Sequence, residues 1–85
     1  MEQEEIILSE REIDYMYHAV GLDHNRPKRG VYRLPRNYYD AGGNDVLVWN
    51  NLVAKGLARY VEGVYMVSET GLKLIEKLIL AKIKI

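Results

Sequence analysis

Residues 49–75 constrain the fold of this 85-residue chain more than any other segment. A run of helix-forming residues through Trp49 ends at Gly56, and glycine is the usual residue just past a helix C-terminus. Two short runs rich in valine and tyrosine follow, separated by Glu62 and Gly63. A two-residue connection of this kind predicts a tight β-hairpin. Because Ser68 suits the start of a further helix, the segment predicts the order helix, β-hairpin, helix.

The first helix is predicted over residues 10–20. Ser9 and Glu12 have the spacing of a capping box, in which each side chain bonds the backbone amide of the other residue. Gly21 suits the position just beyond the helix C-terminus.

Residues 23–45 predict no full second helix, because proline and glycine interrupt every apolar repeat. Residues 31–34 suit a short extended piece. A single helical turn is expected over residues 35–39, since proline favours the first helical position. Either Asn44 or Asp45 then caps the helix that contains Trp49.

Helical spacing predicts which apolar residues are buried. In the middle helix Trp49, Leu52 and Val53 are expected in the core, and Leu47 is expected to point to solvent. In the last helix the predicted buried positions are Leu72, Ile75, Leu78, Ile79 and Ile83.

Residues 82–85 alternate lysine and isoleucine, which is the period of a strand. Three alternatives follow: these residues continue the last helix, form a strand that pairs with residues 6–8, or dock as a tail.

Composition narrows the class of protein. The chain has no cysteine, so disulfides and thiolate metal sites are excluded and a reducing compartment is expected. The acidic N-terminus lacks the charge of a signal peptide, and no apolar run approaches the ~20 residues that span a bilayer. We therefore expect a cytoplasmic single domain, residues 1–85, with no membrane partner.

The zero net charge hides an uneven distribution. Residues 1–25 hold seven acids against Arg11 alone, whereas residues 26–59 hold seven bases against two acids. The two segments either face and neutralise each other, or leave the basic segment able to hold phosphate.

No group of residues predicts catalysis, and we expect the chain not to be an enzyme. His18 and His24 are two imidazoles without a third metal ligand at a suitable spacing. Ser9 and Ser68 are explained as helix caps, because no basic side chain stands beside them in the sequence. We expect neither a metal nor a small-molecule cofactor.

Nucleic-acid binding is the function that the residues favour most. Two amides on the middle helix suit adenine edges, two nearby cations suit phosphates, and five further bases alternate with tyrosines in the preceding loop. The alternative is that the tyrosines replace a missing helix and the arginines are solvated. The candidate residues are Arg26, Lys28, Arg29, Arg33, Arg36, Asn50, Asn51, Lys55 and Arg59.

Residues 52–57 (LVAKGL) and 65–72 (YMVSETGL) resemble the segments that bracket the wing in winged-helix regulators of the multiple-antibiotic-resistance class. Residues 18–22 (HAVGL) and 36–39 (RNYY), the glycine break before Asp45, and Trp49 with Leu52 and Val53 are similar to small uncharacterised proteins of tailed bacteriophages and prophages. The resemblance implies an α+β, winged-helix-like fold. Such a fold has three main helices, a β-hairpin wing in the C-terminal half, and a loop in place of the second helix of the helix-turn-helix.

Two functions follow from the residues and the resemblance. The first is a DNA-binding or regulatory module of a phage, located in the host cytoplasm and acting on double-stranded DNA. The second is a protein-interaction module without nucleic-acid binding. It would form a homodimer, or bind a host or phage protein, through Leu47 and residues 72–85.

Overall fold

The computed structural model describes residues 8–85 and contains three helices and four short strands in that part of the chain. The predicted α+β class is confirmed. In chain order the elements are α1 (Glu10–Ala19), β1 (Val31–Arg33), α2 (Asp45–Ala54), β2 (Ala58–Val61), β3 (Val64–Val67), α3 (Glu69–Ile79) and β4 (Lys82–Lys84).

The predicted capping box at the start of α1 is present. The Glu12 backbone N–H donates to Ser9 Oγ over 3.1 Å, and the Ser9 backbone N–H donates to Glu12 Oε1 over 2.9 Å. The helix ends at Ala19, and the φ of +82° at Gly21 turns the chain away. A Cβ at Gly21 would lie 2.6 Å from Pro35 Cγ, so the following loop packs directly over the end of the helix.

Residues 20–44 contain no helix, as predicted, but the helical turn predicted over residues 35–39 is wrong. This segment is extended along β3 instead. The Tyr39 backbone exchanges two hydrogen bonds with Tyr65, of 2.7 and 2.9 Å. The Asn37 side chain bonds both the N–H and the C=O of Val67. The two Tyr39 bonds form an antiparallel β-bridge, and the Asn37 side chain ties the same segment to β3. Tertiary pairing therefore overrides the local preference of proline.

The predicted hairpin forms between β2 and β3, with Ala58 opposite Val67 and Tyr60 opposite Tyr65. Its turn residues, Glu62 and Gly63, both have positive φ, as a two-residue hairpin turn with a type I′ backbone requires.

Both later helices begin where the sequence predicts. Asn44 is the residue preceding α2, although its side chain makes no capping hydrogen bond. Ser68 caps α3, and its Oγ accepts a hydrogen bond from the Gly71 backbone N–H over 3.1 Å.

The C-terminal residues form a strand, β4, at Lys82–Lys84. β4 pairs in parallel with β1, which places Tyr32 beside Ile83. Residues 6 and 7 of the predicted partner segment lie outside the described residues, and Leu8 belongs to no strand. Of the three alternatives for the C-terminal end, the strand is confirmed.

The core lies where α1, α2, the hairpin and α3 meet. Val53 and Leu78 were predicted to be buried, and both predictions are wrong, with exposed fractions of 38% and 45%. The covered side of α2 is centred on Val48, Trp49 and Leu52, and Val53 lies beyond its edge. Among residues 8–85, the largest fully buried side chains are Trp49, Tyr32, Met16, Leu52, Leu57, Ile75, Val20 and Val67.

Five aromatic rings cross the core in contact with one another, and we call them the aromatic column. Neighbouring ring centroids are 4.7 to 5.6 Å apart, which is the range of favourable aromatic pairs. The column connects α1 to the hairpin through the extended loop and α2. In order, its members are Tyr15, Tyr39, Trp49, Tyr65 and Tyr60.

Candidate functional site

Three of the nine candidate nucleic-acid-binding residues belong to α2 or its C-terminal cap. Asn50 Oδ1 accepts a hydrogen bond from the Tyr65 hydroxyl over 2.6 Å, so this amide holds the hairpin on α2. Lys55 Nζ lies 2.9 and 2.8 Å from the two carboxylate oxygens of Glu12. Asn51 is exposed. Two of the three side chains therefore hold the fold together.

Arg36 and Arg26 also bond the protein itself. Arg36 Nη2 donates to the His18 carbonyl over 2.6 Å and lies 3.4 Å from Asp23 Oδ1. Arg26 Nη1 donates to two backbone carbonyls near the end of α1. Arg36 thus fastens the loop to α1, whereas Arg26 keeps an exposed side chain beside the remaining loop cations.

Arg59 lies apart from the loop, on the outer side of the hairpin. It stands opposite Met66 in the strand register, while the neighbouring pair Tyr60 and Tyr65 occupies the other side. The nine candidates therefore do not form one surface.

The loop before β1 folds back on that strand. Lys28 and Val31 exchange backbone hydrogen bonds of 2.7 and 3.0 Å across a tight turn. Arg29 and Gly30 form the turn, with φ of +54° and +75°. Since residues directly opposite each other point to the same side of a sheet, Lys28 projects on the side of Val31.

β4 adds two lysines to the same side. Val31 is in register with Lys82 and Arg33 with Lys84, while Tyr32 and Ile83 between them face the core. Arg33, Lys82 and Lys84 are consequently exposed neighbours on the outer side of the sheet. We call the resulting surface the basic face, and its members are Lys28, Arg29, Arg33, Lys82 and Lys84.

The basic face borders two cavities. The first, of about 410 Å³, is lined by Arg26 and the three basic-face residues of the loop and β1, and among its lining residues there is no acid. The second, of about 500 Å³, is lined by lysines of α3 and β4 and by Glu76. The Glu76 carboxylate already has a partner, because its Oε2 accepts a hydrogen bond from the Ile83 backbone N–H over 2.7 Å.

The basic face makes no ion pair with the acids of residues 8–85. Within residues 8–85, the ion pairs within 4.0 Å join Asp23 to His18, His24 and Arg36, and Glu12 to Lys55. None of them involves the basic face. Within the described residues, Glu12 of α1 pairs with Lys55 and Asp23 pairs with Arg36. The other N-terminal acids, Glu2, Glu4 and Glu5, lie outside the described residues.

The Glu12–Lys55 pair is the most buried ionic contact among these. The Glu12 side chain is 7% exposed and the Lys55 side chain 32%. Burial acts to raise the pKa of the Glu12 carboxyl group, but the hydrogen bonds from Lys55 and Ser9 and the charge of Lys55 outweigh it. The pKa is therefore held below its ordinary value of 4.5.

We expect Glu12→Gln to lower the free energy of unfolding at pH 7 by about 1–2 kcal/mol, because a charge-assisted, largely buried bond is lost. The folded protein keeps Glu12 ionised to lower pH than the unfolded chain does. The stabilisation is thus present above pH 4.5 and is lost as pH falls through the folded pKa. Urea unfolding at pH 7, 4 and 3 should show the gap between wild type and variant shrinking with pH.

The matched control for this measurement is Glu10→Gln, an exposed acid in the same helical turn. We expect it to change the unfolding free energy by no more than about 0.5 kcal/mol. A pH-independent gap for Glu12→Gln would show that the charge of Glu12 does not provide the stabilisation.

Asp23 lies at the centre of a cluster of ionisable side chains that the sequence did not predict. His18 Nδ1 lies 2.7 Å and His24 Nε2 3.6 Å from Asp23 Oδ2. Desolvation acts to raise the pKa of Asp23, but the two histidines, a backbone hydrogen bond and Arg36 outweigh it and lower the pKa. Among residues 8–85, no group of three or more histidine, cysteine, aspartate or glutamate side chains has an arrangement that could hold a metal ion.

Asp45 has a role other than helix capping. Its carboxylate oxygens accept hydrogen bonds from the Tyr15 and Tyr39 hydroxyls, over 2.7 and 2.8 Å. Burial, with the hydrogen bond to Asp45, raises the pKa of Tyr39 to about 12. The Tyr39 phenol therefore stays protonated near neutral pH and serves as a donor that fixes the loop on α2.

Lys82 and Lys84 belong to the basic face but are not among the nine candidates predicted from the sequence. Their signal is the alternation of lysine and isoleucine, which places both lysines on one side of a strand. The pattern carries no information on the partner strand, so it does not show that this side joins the arginine-rich loop.

No helix within residues 8–85 is long and apolar enough to cross a membrane. Comparisons with models of protein families, with curated proteins and with solved structures found no match to this chain.

Proposed function

We propose that this chain is a winged-helix-like module that binds double-stranded DNA, and that it contacts the phosphate backbone through the basic face. The observation that carries the proposal is the pairing of β1 with β4, which puts Arg33 beside Lys84 and next to the cations of the loop. Phosphate contacts of this kind supply most of the affinity of sequence-independent DNA binding.

The order of elements supports the winged-helix part of the proposal. α2 is followed directly by the β2–β3 hairpin, and α1 packs on α2. In this order α2 corresponds to a recognition helix and the hairpin to a wing, with a loop and β1 in place of the second helix. A phage origin, and a regulatory role in the host cytoplasm, remain predictions from the resemblance.

Two polar side chains of α2 already have partners within the protein, which favours contacts with the DNA phosphate backbone over recognition of bases. Base recognition needs donors and acceptors that are unoccupied. Asn50 already accepts the Tyr65 hydroxyl hydrogen bond, and Lys55 is held by Glu12. The exposed residues that remain on α2 are mostly apolar, whereas the basic face presents five exposed cations. We therefore expect weak dependence on DNA sequence and strong dependence on salt.

The test is fluorescence anisotropy with a labelled duplex of about 20 base pairs over a range of salt concentrations. Affinity should fall linearly with salt on a log–log scale, with a slope of about 0.9 per phosphate contacted. Lys84→Glu should weaken binding about tenfold and reduce the slope by about 1, because it removes a phosphate contact beside Arg33.

The matched control is Arg59→Glu, which makes the same charge change on an exposed strand residue of the hairpin. We expect it to alter affinity by about twofold at most, since long-range effects of one surface charge are screened. If Arg59→Glu and Asn51→Ala weaken binding while Lys84→Glu does not, the hairpin and α2 bind DNA and the basic face does not. Absent or salt-independent binding by the wild type contradicts the proposed function itself.

A further inference from the structure

The cavity between the loop and β1 has charge of one sign only. Four cations and no acid line its volume of about 410 Å³, which lies in the range of sites that hold small ligands. Positive groups around one cavity repel one another, and a bound anion removes that repulsion. We call it the cationic cavity, and its charged residues are Arg26, Lys28, Arg29 and Arg33.

No carboxylate of the described chain is paired with these cations. Within residues 8–85, none of the four forms an ion pair. Asp23 is the acid nearest to them in the sequence, and it is held by His18 at 2.7 Å and by Arg36 at 3.4 Å. An anion that enters the cationic cavity therefore displaces no internal ion pair of residues 8–85.

Hydrogen bonds hold one wall of the cationic cavity in place. Asn25 Nδ2 donates to the Gly21 carbonyl over 2.8 Å. Arg26 Nη1 donates to the carbonyls of Leu22 and Asn25, each over 3.2 Å. A guanidinium has five N–H donors, so Arg26 keeps others for a ligand. A wall that is already ordered lowers the entropy cost of binding.

The opposite wall contains a strained residue. Arg29 has a φ of +54°, in the left-handed region that asparagine, aspartate and glycine usually occupy in two-residue turns. The two backbone hydrogen bonds between Lys28 and Val31 hold it there. Backbone strain of this kind is concentrated at ligand-binding and active sites. Here it fixes the direction in which one of the four cations leaves the backbone.

These residue types favour a phosphate that carries two charges. Arginine binds phosphate through paired N–H groups, and lysine adds a point charge. A phosphate monoester carries about −1.5 to −2 at pH 7, whereas each phosphate inside a DNA strand carries one negative charge. An internal phosphate also has a sugar on both sides and lies along a surface. A terminal phosphate has one ester link and can enter a cavity.

We propose that the cationic cavity binds a terminal phosphate monoester of DNA, while Lys82 and Lys84 contact phosphates within the duplex. The inference rests on the proposed DNA-binding function and names the part of the DNA that this site selects. Neither Lys82 nor Lys84 lines the cationic cavity, so substitutions separate the two kinds of contact.

The test uses a DNA hairpin of about 20 base pairs with a fluorescent label in its loop, so that it has a single open end. The 5′ end carries either a phosphate or a hydroxyl group. By fluorescence anisotropy the protein should bind the phosphorylated hairpin about tenfold more tightly. A general charge effect is far smaller, because one phosphate is added to about forty.

Arg29→Gly is the variant that tests the cavity. It removes a lining cation, and glycine suits the positive φ, so the turn is retained. We expect the preference for the phosphorylated hairpin to fall below about threefold. The matched control, Lys84→Glu, lies on the basic face outside the cavity and should weaken binding of both hairpins by a similar factor. Circular dichroism checks that both variants remain folded.

A competition arm separates a DNA end from free phosphate compounds. At constant ionic strength, adenosine 5′-monophosphate should reduce the affinity for the phosphorylated hairpin to that for the hydroxyl form. Adenosine should have no effect, because it carries no phosphate.

Three results would overturn the inference. One is equal affinity of the wild type for the two hairpins, and another is a preference that Arg29→Gly leaves unchanged. The third is a melting temperature that rises with adenosine 5′-monophosphate in the absence of any preference between the hairpins, which would make the ligand a free phosphate monoester. A wild type that binds neither hairpin contradicts the proposed function as well, whereas equal binding of both contradicts only the inference.

Discussion

Replacing Trp49 with alanine should lower the free energy of unfolding by about 3–5 kcal/mol, the usual cost of deleting a large core side chain. The indole is fully buried at the centre of the aromatic column, with the Tyr39 ring 5.3 Å away on one side and the Tyr65 ring 5.6 Å away on the other. Its loss leaves a cavity between the extended loop and the hairpin. For a domain of this size such a loss is a large part of the total stability.

Urea unfolding followed by circular dichroism measures the effect, and the melting temperature should fall by roughly 4 °C or more per kcal/mol. The control is Trp49→Phe. In the described part of the chain Trp49 Nε1 has no hydrogen-bond partner, so phenylalanine removes volume but no hydrogen bond. We expect Trp49→Phe to cost well under half as much as Trp49→Ala. Equal stability of Trp49→Ala and wild type would show that the column does not hold the core together.

Gly71→Ala should destabilise the protein by about 2 kcal/mol, although alanine favours helix by about 1 kcal/mol over glycine. Gly71 is buried in the first turn of α3. A Cβ there would collide with the Leu57 carbonyl oxygen and come within 2.6 Å of Val67 Cγ1. The same carbonyl accepts a hydrogen bond from the Ser68 backbone N–H over 2.9 Å, so relief of the collision disturbs the start of the helix.

The test is whether Gly71→Ala lowers or raises the free energy of unfolding. Thr70→Ala, at the exposed preceding residue, has the same benefit in helix preference without the collision and should be neutral or stabilising. Chemical denaturation of both variants under identical conditions separates the two effects. If Gly71→Ala is as stable as wild type, α3 can move away from Leu57 and the close packing has no energetic consequence.

Hydrogen bonds within the protein determine which of the candidate residues remain available to a binding partner. Four candidate residues, Asn50, Lys55, Arg36 and Arg26, make hydrogen bonds inside the protein. These charged and amide groups therefore stabilise the fold. The proposed DNA contact uses a different surface, the outer side of the β1–β4 sheet.

Much of the local structure follows from the sequence alone. The capping box at Ser9, the hairpin turn at Glu62 and Gly63, and the cap at Ser68 were all predicted. Each depends on contacts between residues at most a few positions apart, so the residue types suffice to define the geometry.

The tertiary structure alone decided the rest. Residues 35–39 favour a turn locally, but bonds to Tyr65 and Val67 hold them extended. Residues 82–84 show the period of a strand, but pairing with Val31–Arg33 joins segments about fifty residues apart, and periodicity says nothing about such a partner. The basic face exists because of that pairing. The sequence determined which elements form, and long-range packing determined which of their side chains remain available to a partner.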